Sequence, residues 1–379
     1  MRFLHLSDLH LGKRVCEFSM LEDQRYILEE ILTLLDETPV DGVLLAGDLY
    51  DKPVPPAEAV RLLDWFLTQL AERSVHVCMI SGNHDSPERL QFGSDLLQKN
   101  QIHIAGTFSG KMETVSLSDD YGTLTISMLP YVKLAQLSVQ FPEQSFATLD
   151  DGIRAVLEQT PPDPNHRNLL LYHGFVLHNG AAPEESDSET QLGGLQLVSD
   201  TLFDAYDYVA LGHIHKPQWV RRDRIRYSGS LMKYSFSECL QQKSVTLLNW
   251  KEKDNCTITT IPLHPKQEMR ILRGTLEQLL EHATPSEDFI RAELTDLELI
   301  PNAIEKLRVV YPNTLELSYV ERERLRQPAA ATEAVHVEEQ SLLDLVTEFY
   351  ENVYHYPLRE HPEELALMTE LVEEEQESE

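Results

Sequence analysis

Positive charge is scarce in this chain. Lys and Arg number 32 against 63 Asp and Glu, a formal net charge of -31. Taken alone, that deficit argues against a nucleic-acid binder. The four cysteines, Cys16, Cys78, Cys239 and Cys256, form no C-x-x-C pair and no disulfide-rich pattern. They read as free thiols of a reducing cytosol. No apolar run approaches the roughly 20 residues that a membrane helix needs. The opening MRFLHLSD enters a strand at once, without a leader segment, so a cytoplasmic protein is expected. No G-x-x-x-x-G-K-S/T loop is present, so any ATP dependence has to come from another polypeptide.

What is present is a globular composition, 42% hydrophobic and 25% charged, in 379 residues. That length suits two or three domains. The acidic excess is uneven. Residues 360–379 hold nine Glu and no Lys or Arg, and PEESDSE adds Glu184, Glu185, Asp187 and Glu189. Arg221, Arg222, Arg224 and Arg226 form a basic knot, and Lys13 and Arg14 follow SDLHLG directly. The local field at a site therefore matters more than the net charge.

Strand and helix patterns alternate along the first hundred residues. Strands are expected at 1–8, 42–46 and in VHVCMIS, and helices over about 21–36, 56–72 and 87–99. The 56–72 helix is apolar over more than one core stripe. From Gly106 onward strands dominate. RIRYSGS, KSVTLLNW and CTITTIPL read as consecutive antiparallel strands. The fold class is α/β: a two-sheet core flanked by helices. The expected division is a catalytic domain over 1–265, a β-α-β-α-β unit over 266–320 and a polar linker over 321–341. Short amphipathic helices over 342–372 and an acidic tail over 373–379 follow.

Metal-capable side chains recur in a fixed order, each just after a short apolar run. They are Asp8 and His10 in SDLHLG, Asp48 in LLAGDLYD, Asn83 and His84 in ISGNHDS, His173 in LLLYHG, and His213 and His215 in ALGHIHKP. In D-x-H and H-x-H the two side chains share one side of an extended segment. Gly12, Gly47, Gly82, Gly174 and Gly212 each lie within two residues of a metal-capable side chain and permit the tight turns that bring strand-end loops around ions. Imidazole, carboxylate and amide donors without thiolate favour Mn²⁺, Fe²⁺ or Zn²⁺ in a catalytic pair over a structural zinc site. Asp48 is the natural bridge, because a carboxylate can give one oxygen to each ion. Two ions about 3.5–4 Å apart lower the pKa of a bridging water and clamp a phosphoryl oxygen. His84, next to Asn83 and followed by Asp85, is expected to stabilise the transition state or protonate the leaving oxygen, with the Asp85 carboxylate orienting it. Isolated histidines such as His5, His76 and His178 read as structural or surface residues.

The ordered blocks D-x-H, G-D, G-N-H-D, H and G-H-x-H resemble the calcineurin-type metallophosphoesterase superfamily. Within it, SDLHLG, GDLYD, SGNHDS, YVALGHIHKPQ and YSGSLMKYSFSE are similar to the SbcD family, nuclease subunits of bacterial SbcCD complexes, over roughly residues 1–320. The resemblance implies Asp8, His10, Asp48 and His215 around one Mn²⁺. It implies Asp48, Asn83, His173 and His213 around the other, and His84 as the catalytic histidine. Asp51 stands where archaeal relatives carry a second histidine, which leaves the phosphate-positioning role at that place open. The resemblance further implies exonuclease action on double-stranded ends and endonuclease action on hairpins or single strands, in DNA repair, recombination and replication. The implied partner is an SbcC-like ATPase with a coiled coil, docked on the C-terminal helices. A homodimer through the 56–72 helix and a capping role for 266–320 are also implied. Basic candidates for phosphate contact are Lys13, Arg14, Arg89, Lys216, Arg221, Arg222 and Arg224. Such contacts are sequence-independent and salt-sensitive. The alternatives are a phosphodiesterase or phosphatase acting on nucleotides or phosphoproteins, and a scaffold without catalysis. Scaffolds usually lose ligands, whereas every expected ligand is present here.

Overall fold

The computed structural model describes residues 1–189, 196–221 and 224–326, with isolated positions between 361 and 369. The expected 327–341 part of the linker and the 373–379 tail lie outside the described residues, as does nearly all of the 342–372 segment. Residues Met1–Val320 form one compact unit and Glu321–Glu379 a second.

Two six-stranded sheets form the core of the first unit. One runs Cys256–Pro262, Ser244–Trp250, Arg2–Leu6, Gly42–Ala46, His76–Ile80 and Ile102–Ala105. Its last four strands are parallel; Ser244–Trp250 pairs antiparallel to Arg2–Leu6. The other runs Gln218–Trp219, Ile225–Tyr227, Tyr208–Gly212, Arg167–His173, Gly122–Leu129 and Glu113–Asp119. Its middle four strands are parallel and both edges are antiparallel.

Side-chain alternation assigns each face. In the first sheet Leu4, Leu6, Val43, Leu45, Val77 and Met79 meet helices Leu21–Glu37 and Ala57–Glu72 through Ile27, Ile31, Leu63 and Phe66. Phe3, Leu44, Ala46, Cys78 and Ile80 face the other way. They pack against Leu124, Ile126, Leu169, Leu171, Tyr208 and Ala210 of the second sheet. The far face of that sheet, with Leu170, Tyr172, Val209 and Leu211, is covered by helices Leu134–Gln140 and Leu149–Gln159. Helices outside two stacked sheets explain why the central strands read as continuous apolar runs: both of their faces are buried.

Two expectations need correction. Ile225–Tyr227 does not pair with Ser244–Trp250. It lies parallel to Tyr208–Gly212 in the second sheet, and the chain crosses to the first sheet before Ser244. Sequence order alone could not distinguish a hairpin from that crossover. The hairpin of Ser244–Trp250 with Cys256–Pro262 is as expected. The 87–99 helix is instead two short pieces, Pro87–Gln91 and Ser94–Leu97, interrupted at Gly93, whose φ of 78° is left-handed.

Residues 269–319 form the β-α-β-α-β segment. Met269–Gly274, Phe289–Leu294 and Thr314–Tyr319 are parallel, with helices Leu276–Glu281 and Ala303–Arg308 between them. Ile290, Ala292, Leu294, Leu276 and Leu307 form its core. Phe289 also meets Phe18, ring centroids 5.0 Å apart, and joins the main core beside Met269. Among the described residues no helix is long and apolar enough to cross a membrane.

Candidate metal centre

Every expected ligand lies at or just beyond the carboxyl end of a parallel strand, where open α/β sheets place their sites. Asp8 and His10 follow Arg2–Leu6, Asp48 follows Gly42–Ala46, and Asn83 follows His76–Ile80. These come from the first sheet. His173 ends Arg167–His173, and His213 and His215 follow Tyr208–Gly212 in the second. The turns are unusual. Asp8, His10, Asp48 and His213 have φ of 52°, 44°, 51° and 109°, a region that non-glycine residues rarely adopt outside constrained sites. Backbone bonds hold them there: Asp8 N–H donates to the Gly47 carbonyl at 3.1 Å and His10 N–H to the Asp48 carbonyl at 2.9 Å. Close approach also demands glycine. A Cβ at Gly82 would fall 2.1 Å from Asp48 Oδ1, and one at Gly47 would fall 2.3 Å from His173 Nδ1.

The buried side chains gather into two groups, Asp8, His10 and His215 in one and Asp48, His173 and His213 in the other, with potential donor atoms within 4.8 Å in each; a third set at the same spacing, His10, Asp48 and half-buried His84, links them. His10 Nε2 and His215 Nε2 are 3.0 Å apart. In the second group, Asn83 Oδ1 lies 3.0 Å from His173 Nε2 and 2.9 Å from His213 Nδ1. Asp48 stands between them: its Oδ2 is 3.7 Å from His10 Nε2 and 3.4 Å from His173 Nε2. Asp8 accepts the His213 backbone N–H at 2.9 Å, joining the loops of the two sheets.

This crowding tests whether the residues suit cations. At 3.0 Å the facing His10 Nε2 and His215 Nε2 cannot both keep bare lone pairs, so one of them carries a proton or a metal ion takes both. His10 Nδ1 and His213 Nε2 are buried without a hydrogen-bond partner. The protonation equilibria are strained accordingly. Burial lifts Asp8 to about 8 and drops His213 to about 3. Burial opposes charge on His173 as well, yet the adjoining Asp48 carboxylate raises it to about 9. Burial likewise opposes ionisation of Asp48, but His173 and His10 hold it far below the usual carboxylate range. Protons shared among buried carboxylates and imidazoles are what divalent ions displace on binding. The donor set, all oxygen and imidazole nitrogen, fits hard or borderline divalent metals.

The calcineurin-like phosphoesterase model matches residues 1–217, which carry all these side chains and more than half of the chain. The chain belongs to the calcineurin-like phosphoesterase family. A second model, described as the type 5 capsule protein repressor C-terminal domain, matches residues 265–354. The chain is 29% identical over 357 residues to the SbcD subunit of nuclease SbcCD from Staphylococcus epidermidis, covering 93% of each protein. Among solved structures, TT1561 of Thermus thermophilus aligns with a TM-score of 0.39 at 12% identity, covering 68% of this chain and 98% of that one. As a family member this phosphoesterase uses divalent metal ions.

His84 borders the centre, half-buried, its ring centroid 4.8 Å from that of His10. Its orientation corrects one expectation. The Asp85 carboxylate does not hold it; Asp85 accepts the backbone N–H groups of Leu49, Tyr50 and Gly82 at 2.9–3.1 Å and so ties two ligand loops together. The His84 ring is set by the Asp51 backbone carbonyl, 2.9 Å from Nδ1, which leaves Nε2 for the site. The Asp51 side chain points elsewhere, 2.9 Å from Lys13 Nζ and 3.7 Å from His10 Nδ1.

Most of the basic candidates are held by acids. Lys13 pairs with Asp51, Lys216 with Glu184, Arg14 with Glu17, and Arg221 with Asp200 and Asp204. Arg89 is exposed, Arg224 half-buried, and Arg222 lies outside the described residues. Arg226 is buried under Trp219, 4.5 Å from its ring centroid. His5 is internal as expected, 3.0 Å from the Tyr208 hydroxyl.

Sequence reasoning missed the layer behind the ligands. Tyr234 donates to the Leu9 carbonyl at 2.5 Å and receives Gln24 Nε2 at 3.0 Å, while its ring packs 5.7 Å from His10 and 5.9 Å from His215. Glu238 and Lys243 form a buried pair at 2.6 Å. Tyr234 and Glu238 both stand in KYSFSE, a block visible in the sequence but carrying no metal-ligand pattern.

Proposed function

We propose that this phosphoesterase is a metal-dependent DNA nuclease that works with an SbcC-like ATPase. It acts on double-stranded ends and on hairpins or single strands, in DNA repair, recombination and replication. The observation that carries the chemistry is Asp48 Oδ2 standing between two buried groups of ligands. The likeness over 93% of the chain to a nuclease subunit supports DNA as the substrate. Two divalent ions, here Mn²⁺, activate water and offset charge on a phosphoryl group. Imidazole-rich sites hold Mg²⁺ poorly, which supports Mn²⁺.

In this reading Asp8, His10, Asp48 and His215 hold one ion and Asp48, Asn83, His173 and His213 the other. His84, with Nδ1 directed at the Asp51 carbonyl, presents Nε2 to the leaving oxygen or to the charge that builds on the phosphoryl group. Asp85 supports the ligand loops. Residues 266–320 cap the site, and residues 342–372, apolar at Leu342, Leu345, Val346, Phe349 and Val353, dock the ATPase. Assembly as a homodimer draws support from helix Ala57–Glu72. Most of its apolar width is buried in its own core, and Trp65 lies under Arg25, but Val60 and Phe92 stay exposed beside Leu63 and Leu67. The free thiols and the absence of a membrane-length apolar run support a cytoplasmic location.

The test is incubation of the purified chain in Mn²⁺, with and without an SbcC-like partner and ATP, on linear and hairpin-ended DNA. A simple phosphodiester runs in parallel. DNA cleavage that the partner and ATP stimulate is the expected outcome. Turnover of the simple ester with intact DNA under every condition would overturn the nuclease reading in favour of a nucleotide or phosphoprotein phosphoesterase.

A further inference from the structure

His215 differs from the other ligand histidines in how it is held. The Nδ1 atom of His173 faces a backbone carbonyl, that of Ala46, at 2.7 Å. His215 is instead gripped by side chains at three places. Glu189 accepts its backbone N–H, Lys243 Nζ donates to its carbonyl at 2.9 Å, and Ser188 Oγ lies 2.7 Å from its Nδ1. Ser188 in turn donates to Glu238 Oε1 at 2.5 Å, and the other Glu238 oxygen is 2.6 Å from Lys243 Nζ. Glu238 and Lys243 are almost wholly buried. Lys243 Nζ also donates to Ser230 Oγ and Gln241 Oε1, so its three donors go to these two oxygens and the His215 carbonyl, and Glu238 holds it as an ion pair. Ser188 and Glu189 come from PEESDSE, which the sequence marks only as an acidic run.

We propose that Glu238, acting through the Ser188 hydroxyl, is the positioning residue that fixes the ring and tautomer of His215 for the cation on the Asp8 and His10 side. The inference rests on reading His215 as a cation ligand. Nδ1–H donates to Ser188 Oγ, the Ser188 hydroxyl donates to Glu238, and Nε2 is left with its lone pair facing His10. A carboxylate behind a ligating imidazole locks its tautomer and raises its basicity. Lys243 compensates the Glu238 charge, without which a buried carboxylate would be too costly to keep ionised. The same lysine grips the His215 carbonyl, so backbone and ring are fixed by one ion pair.

The experiment is Mn²⁺ titration by calorimetry of the full chain and of Ser188→Ala, Ser188→Thr, His215→Ala and the double variant Glu238→Gln/Lys243→Met. Ser188→Ala leaves the buried ion pair intact, and the double variant removes both charges together, so neither leaves a lone buried ion. Ser188→Ala and the double variant should weaken one of two Mn²⁺ sites by about 10–100-fold, with the second site unchanged. Ser188→Thr, which keeps the hydroxyl, should restore most of that affinity. Wild-type Mn²⁺ binding in Ser188→Ala, or a Thr variant as weak as Ala, would overturn the proposal. His215→Ala separates the two levels. If it too binds Mn²⁺ like wild type, the ligand reading itself fails; if it loses one site while Ser188→Ala does not, only the positioning role fails.

Discussion

The metal centre and the 269–319 segment are built on opposite terms. In the centre, four of the seven converging residues, Asp8, His10, Asp48 and His213, sit at positive φ. Each such conformation costs on the order of 1–3 kcal/mol. Buried acceptors there face one another. In the 269–319 segment Asn302 alone is non-glycine at positive φ. Its first helix opens on a reciprocal capping box between Thr275 and Gln278, and its buried Thr314 hydroxyl is satisfied by the Tyr311 carbonyl at 2.8 Å. Local rules suffice to build the second region. The first persists because two stacked sheets and the bonds of Asp85, Gln24 and Tyr234 over-determine it.

That contrast can be broken at either end. Asp48→Ala removes the carboxylate proposed to serve both ions. Phosphodiester hydrolysis should fall by more than about 10³-fold, beyond the loss of a single oriented donor, and calorimetry should find Mn²⁺ affinity reduced at both sites. His84→Ala should lower kcat by about 10²–10⁴-fold while the Mn²⁺ isotherm stays as in wild type; near-normal DNA cleavage would refute its role. Gly82→Ala places a methyl group against Asp48 Oδ1 and should destabilise the fold by about 1–3 kcal/mol, with weaker Mn²⁺ binding, in thermal melts run with and without metal. Thr275→Ala should cost only about 1 kcal/mol in chemical denaturation, and Mn²⁺ affinity should not change. A Thr275 variant that disturbed metal binding would show that the two regions are energetically coupled.

Legibility followed the same divide. The converging Asp and His side chains could be read because each motif is short and local: an apolar run, a turn, then Asp or His. The alternating helix and strand order of the first hundred residues and the 269–319 segment could be read for the same reason, since period and capping act over a few residues. Asp85 misled because adjacency in G-N-H-D suggested a partner for His84, whereas the turn directs its carboxylate to the Leu49 and Tyr50 amides. Lys13, Lys216 and Arg221 looked free because their acidic partners, Asp51, Glu184 and Asp200, lie far away in sequence.

By itself the sequence determined the kind of chemistry, because coordination needs particular donor atoms and those are written residue by residue. It also determined the α/β character, since hydrophobic periodicity is a local property. Only the tertiary structure decided which donors stand side by side, that the second sheet receives Ile225–Tyr227, and that Glu238 stands behind His215. Those depend on contacts between residues far apart in the chain, and the free energy of such contacts is set by packing and burial that no short window contains.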